Sequence, residues 1–148
     1  MSELGLQLYK KMYFIRRVEE LIQEHYPEDE MKTPMHMSMG EEAIVVGISH
    51  ALTPEDQVLG TYRSHGIYLA RTMECEKFFG EMYGKITGTA FGKAGSMHLL
   101  APDSGLICSS AIVASHIPVA TGAAFANQQM NPIFTTWIGQ ITINTQIS

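Results

Sequence analysis

Residues 84–106 hold Gly84, Gly88, Gly92, Gly95 and Gly105 and show no apolar period, although helix-like spacing runs up to them and an alanine-rich stretch follows. A connection this long without periodic burial is a loop, and long structureless loops in compact chains are functional or mobile. The chain must therefore be a framework of regular elements that anchors one long loop. Leu8, Met12, Ile15, Val18 and Ile22 recur at spacings of three and four and predict a helix over residues 4–25. Arg16, Arg17, Glu19 and Glu20 fall mostly off that stripe and read as a solvated charged face.

Residues 31–39 lack a period and set Met31, Met35, Met37 and Met39 around His36, which reads as a packed loop. A helix is expected over 41–52, with Glu41 and Glu42 at its positive end and with Ala43 and Gly47 small enough to let another element approach. The turn at 53–56 introduces a short buried strand at 57–61 that runs into Tyr62-Arg63. Helices are expected at 64–71 and 74–84. Another opens at Pro118 and runs to Met130, and a second strand at 134–138 ends at Gly139. Strand, helices, glycine loop, helix, strand is the grammar of an α/β chain with a parallel sheet layered with helices, here one domain over 1–148.

Composition narrows the function. A chain of 148 residues that is 45% hydrophobic and 17% charged is globular, and its net charge of −5 opposes general nucleic-acid binding or attachment to anionic lipid. The apolar stretch from Ile112 to Ala126 is interrupted by Ser115, His116, Pro118, Thr121 and Gly122, so no membrane span is expected. Cys75 and Cys108 have no ligand spacing, and Met1 to Gly5 begin no secretory signal; a cytoplasmic location is the expectation. None of the six histidines forms a helical i, i+4 pair with an acidic partner, so no self-contained metal site is expected. The serine-hydrolase, dinucleotide and P-loop motifs are missing too.

Three elements carry polar chemistry. Tyr62-Arg63-Ser64-His65-Gly66 stands where a strand ends, and an arginine there suits a phosphate or carboxylate, or else caps local carbonyls. Gly92-Lys93-Ala94-Gly95-Ser96-Met97-His98 combines glycine turns with Lys93, Ser96 and His98 as polar contacts, or is a plain surface turn. In the run Ser109 to Pro118, hydroxyls and an imidazole precede a helix, where Ser115 is a natural N-cap.

In order and spacing these segments resemble the alpha subunit of thiamine-diphosphate-dependent 2-oxo acid dehydrogenases, the pyruvate, branched-chain and acetoin types. The resemblance is carried by Arg16 to Glu20, Met35 to Gly47, Thr61 to Arg71, Gly84 to Leu100 and Ala111 to Ala126. It covers nearly the whole chain but only the N-terminal two-fifths or so of a typical member, which implies an incomplete thiamine-diphosphate-binding fold. The resemblance implies that Tyr62 and Arg63 contact the cofactor's diphosphate, that the backbone of Ala111 and Val113 meets its aminopyrimidine, and that His36 lies near the reactive thiazolium as the catalytic imidazole. It also implies a beta subunit, which supplies the activating glutamate in a heterotetramer, and a lipoyl acyltransferase that receives the acyl unit after oxidative decarboxylation. In some relatives the positions of Ser110, Ile112, Ser115 and His116 form a potassium site, but His116 replaces a glutamine there.

The resemblance breaks at Gly139-Gln140-Ile141, where relatives carry a GDG motif whose aspartate ligates magnesium. A neutral amide is a weak substitute for an anionic oxygen on a hard cation. Two expectations follow: a truncated dehydrogenase chain inactive alone, or a non-catalytic packing chain that has lost cofactor and magnesium. An isolated chain with uncovered sheet edges should also associate.

Overall fold

The computed structural model describes residues 2–130. The chain divides after His116 into two compact units, each described by itself.

The first unit begins with α1 (Glu3–His25), capped by Ser2, whose Oγ accepts the Gly5 N–H at 3.1 Å. Ile15, Val18 and Ile22 are its buried stripe, with Leu8 and Met12 packed alongside, as the spacing predicts. A 3-10 turn at Tyr26–Glu28 ends it. Next come α2 (Glu42–Ala51), β1 (Val58–Gly60), α3 (His65–Thr72), α4 (Cys75–Met82) and β2 (Leu106–Ser109). α1 packs on α2 and α3, and α3 also reaches β2. The core joins the α1 stripe to Met31, Val46, Tyr68, Leu69, Phe78, Met82, Leu99 and Leu106. Met31 anchors the loop at 31–39, while Met35 and Met37 pack at the core's edge.

β1 and β2 pair in parallel, with Val58 opposite Leu106, Leu59 opposite Cys108 and Gly60 opposite Ser109. The protein is α/β with a small parallel sheet. β2 is a strand that no sequence pattern announces: it is four residues long, and Gly105 on one side and Ser110 on the other hide it. The strand expected at 134–138 lies outside the described residues. The two strands touch closely at their ends, because a Cβ on Gly60 would stand 2.9 Å from both Ser109 Cβ and Ser64 Cβ. Close approach at Ala43 and Gly47 is not observed among the described residues. Both are exposed, and a Cβ on Gly47 would meet nothing within 4 Å. Close helix packing is seen instead at Gly66 in α3, where an added Cβ would lie 3.0 Å from Ser38 Oγ and 3.1 Å from Val45 Cγ2.

The glycine loop is ordered by one side chain. Glu81, buried near the end of α4, accepts the backbone N–H groups of Ala90 (2.8 Å), Gly92 (3.0 Å), Ala94 (2.7 Å) and Gly95 (2.9 Å). Charge-assisted bonds of this kind are worth about 1.5–3 kcal/mol each. Positive φ at Gly84, Phe91, Gly92 and Gly95 lets the loop curl around the carboxylate. At the loop's far end Arg71 clamps the chain by donating to the carbonyls of Ser104 (2.7 Å), Thr53 (3.1 Å) and Asp56 (3.2 Å).

α5 (His116–Met130) carries Pro118 in its first turn, where a missing N–H costs no helical bond. Thr121 Oγ1 donates to Ile117 O at 3.0 Å. No helix among the described residues is long and apolar enough to cross a membrane.

Candidate functional site

Parallel pairing of Gly60 with Ser109 brings two chain ends out of one sheet edge. From β1 the chain continues into Tyr62 and Arg63, and from β2 into Ser110, Ala111, Ile112 and Val113. Ligand crevices of parallel α/β folds lie outside this end of the strands.

Three of the expected residues are in contact. The His36 and Tyr62 rings meet edge to face with centroids 5.0 Å apart. The Arg63 guanidinium carbon lies 5.6 Å from the Tyr62 centroid, and Nη1 donates to Met37 O at 2.7 Å. Arg63 is exposed, and among the described residues no carboxylate pairs with it. His36 Nδ1 is buried without a partner. A solvent-facing guanidinium with unclaimed N–H donors, backed by a ring and beside an unpaired imidazole nitrogen, suits an anionic ligand with a polar or ionisable group.

Ala111 and Val113 follow β2 out of the same sheet edge, and among the described residues no ring contact or hydrogen bond joins them to that trio. Ile112 and Val113 are 70% and 72% exposed, so two apolar side chains stand free beside the charged ones. The turn that holds them is compact. Ile112 N donates to Ser110 Oγ at 3.1 Å, Ser115 N to Ile112 O at 3.1 Å and Ser115 Oγ to Ser110 Oγ at 2.8 Å. Ala114 takes φ of 65°, a strained value for alanine. His116 is buried with neither ring nitrogen paired. Among the described residues no group of three or more His, Cys, Asp or Glu side chains is placed to hold a metal ion; Gln140 lies outside them.

The glycine loop departs from expectation. Ser96 is fully buried and turns inward to His65 Nε2 at 2.7 Å, while His98 Nδ1 lies 3.3 Å from Ser109 O and Lys93 is exposed. Only part of that motif faces outward.

The charged face expected on α1 also needs correction. Glu19 is fully buried. Its Oε1 accepts Ser38 N (3.0 Å) and Ser38 Oγ (2.7 Å), and both carboxylate oxygens lie 3.2 Å from His65 Nδ1. Burial pushes the Glu19 carboxyl up, but the bonds from His65 and Ser38 outweigh it and hold the group below its ordinary value. The signal was available: Glu19 stands four residues after Ile15 and three before Ile22, inside the buried stripe. Arg16 pairs with Glu42 at 2.7 Å, and Arg17 with Glu20.

Known proteins resemble the chain along most of its length. The family described as "Dehydrogenase E1 component" matches residues 10–141. The mitochondrial pyruvate dehydrogenase E1 component subunit alpha of Kluyveromyces lactis is 41% identical over 123 residues, 83% of this chain and 29% of that protein. The chloroplastic subunit alpha-3 of Arabidopsis thaliana is 32% identical over 142 residues, 96% of this chain and 33% of that protein. The alpha subunit of the acetoin:2,6-dichlorophenolindophenol oxidoreductase of Bacillus subtilis is 34% identical over 123 residues, 83% of this chain and 37% of that protein. The chain thus spans about a third of the length of these relatives. Their names correct the cytoplasmic expectation, since similar chains are mitochondrial and chloroplastic as well as bacterial, and the sequence does not single out one compartment. With the family matched over most of its residues, this chain belongs to the dehydrogenase E1 component family.

Proposed function

We propose that this chain is the cofactor-gripping part of a thiamine-diphosphate-dependent 2-oxo acid dehydrogenase alpha subunit, an incomplete thiamine-diphosphate-binding fold that acts with a beta subunit in a heterotetramer. The observation that carries the reading is the exposed Arg63 guanidinium, free of any carboxylate among the described residues and backed by Tyr62 at a strand end.

Arg63 binds diphosphate oxygens through the N–H donors that Met37 O leaves free, and Tyr62 fixes the plane from which they point. The backbone of Ala111 and Val113 receives the aminopyrimidine on the neighbouring strand end, with the exposed Val113 side chain against it. His36 has an unpaired Nδ1 at which to hold or release a proton next to the substrate carboxylate. Thiamine diphosphate, when bound, supplies the electron sink for decarboxylation of the 2-oxo acid, and the acyl group goes on to the lipoyl group of an acyltransferase partner. Magnesium belongs to the reading, although the neutral amide of Gln140 stands where the family resemblance implies an aspartate ligand.

Gln140 and Ile141 favour a second reading, a chain that packs against its partner without cofactor. Isothermal titration of thiamine diphosphate with magnesium, with and without a beta-type partner, separates the two. Saturable heat in the presence of the partner is expected. No heat under either condition leaves only the packing role.

A further inference from the structure

Glu19, Ser38, His65 and Ser96 are each 0% exposed and come from four separate segments: α1, the loop at 31–39, the start of α3 and the glycine loop. An ionised carboxylate only accepts hydrogen bonds, so the proton between Glu19 and His65 sits on Nδ1. In the neutral ring Nε2 then accepts the Ser96 hydroxyl proton at 2.7 Å. Serine, histidine and glutamate in this order are the parts of a hydrolase nucleophile, but complete burial of all three denies them a substrate. Their function lies in what they brace.

Two arms run from Glu19 to Arg63. Ser38, held by N and Oγ, directly follows Met37, whose carbonyl takes Arg63 Nη1. His65, held by Nδ1, lies two residues after Arg63 at the N-terminus of α3. Together they close a ring of contacts that passes through Arg63, with a buried carboxylate at its base. The Phe78 ring, edge to face with His65 at 5.1 Å, and Thr33 Oγ1, which accepts Ser96 N at 3.0 Å, keep the ring from opening on the inner side.

We propose that Glu19 is a positioning residue whose carboxylate fixes the proton on His65 Nδ1 and, through Ser38 and Met37, the direction in which Arg63 presents its donors to an anionic ligand. That the anion is thiamine diphosphate rests on the function proposed above; the bracing does not.

The test is Glu19→Gln in the full chain. In the variant, Oε1 retains both Ser38 bonds while the amide nitrogen takes the place of Oε2 at 3.2 Å from His65 Nδ1, and an N–H donor facing that nitrogen favours the tautomer protonated on Nε2. Histidine 15N spectra should show Nδ1 protonated in the wild type and unprotonated in E19Q. Amide exchange over residues 36–40 and 61–66 should rise about tenfold in the variant, reading the brace without any cofactor. In the complex with a beta-type partner, E19Q should weaken thiamine diphosphate binding about tenfold and change kcat at saturating cofactor less than about threefold. If E19Q does not fold, His65→Asn and His65→Ala replace it. The asparagine amide still reaches the Nδ1 position and should retain most of the affinity that alanine loses. A wild-type His65 without a proton on Nδ1, unchanged exchange in both segments, or equal losses in the two His65 variants overturns the proposal. A wild type that binds no cofactor while the spectra and exchange behave as expected overturns the functional reading and leaves the brace standing.

Discussion

Arg63 and Glu81 are both charged side chains at the margin of a glycine-containing segment, and the structure treats them in opposite ways. Glu81 is 1% exposed and accepts four backbone N–H groups, while Arg63 faces solvent and, among the described residues, its guanidinium donates only to the Met37 carbonyl. A charge whose hydrogen-bonding capacity is filled from within holds structure together. One left open beside an aromatic ring and an orphaned imidazole nitrogen is kept for a ligand, and its removal should cost binding rather than stability. The two residues are therefore expected to separate cleanly on mutation.

Glu81→Ala should have the largest effect. It removes the common acceptor of four N–H groups and frees the loop at 84–95, costing about 3–5 kcal/mol in chemical denaturation. Gly92→Ala strikes the same loop from the other side. An added Cβ would lie 2.3 Å from the carbonyl carbon of Gly84, at φ of 73°, and about 2–4 kcal/mol should be lost. A loss below about 1 kcal/mol in either variant would mean that the loop is held by something other than the Glu81 cradle. Arg63→Ala should change stability by less than about 0.5 kcal/mol. It should nevertheless weaken thiamine diphosphate binding about 100-fold in titration calorimetry, or about 2.7 kcal/mol. Unfolding in R63A with affinity intact would reverse the comparison.

Acid offers a graded version of the same contrast. For Glu81 burial pushes the carboxyl up, but the bonds from Ala90, Gly95, Ala94 and Gly92 outweigh it and leave the group below its ordinary value, as is also true of Glu19. A carboxyl depressed in the folded state adds stability in full above its unfolded pKa. That stability is lost as pH falls through the folded value. The chain should thus hold a plateau above about pH 5 and lose stability progressively below it, and Glu81→Gln should flatten the slope. An acid limb as steep in the variant as in the wild type would assign the lability elsewhere.

How much of this was legible in the sequence depends on whether the information is periodic. α1 was readable because Ile15, Val18 and Ile22 repeat on one face, and β1 because turn formers bracket it. β2 was not, since four residues with only Leu106 and Ser109 buried carry too little pattern to register. Glu19 was misjudged by residue type although its spacing placed it in the stripe. Glu81 could not have been found, because its partners are backbone N–H groups contributed by a loop whose path no side-chain pattern records. The meeting of His36 with Tyr62 and Arg63 is likewise a long-range fact, which the family resemblance suggested and spacing alone could not.

The smallest expected effect concerns the glycine that looked structural and is not. Gly47 lies inside α2, exposed, and a Cβ there would touch nothing within 4 Å. Glycine within a helix costs backbone entropy with no packing return, so Gly47→Ala should stabilise the isolated chain by about 0.5–1 kcal/mol in thermal or chemical denaturation. The same variant also sharpens the contrast between closed and open regions. If α2 is a free face, alanine is neutral in the complex with a beta-type partner. If a partner helix lies against the Ala43–Gly47 edge, the stabilised chain will assemble less tightly, and the close approach absent within the described residues will belong to the interface between subunits.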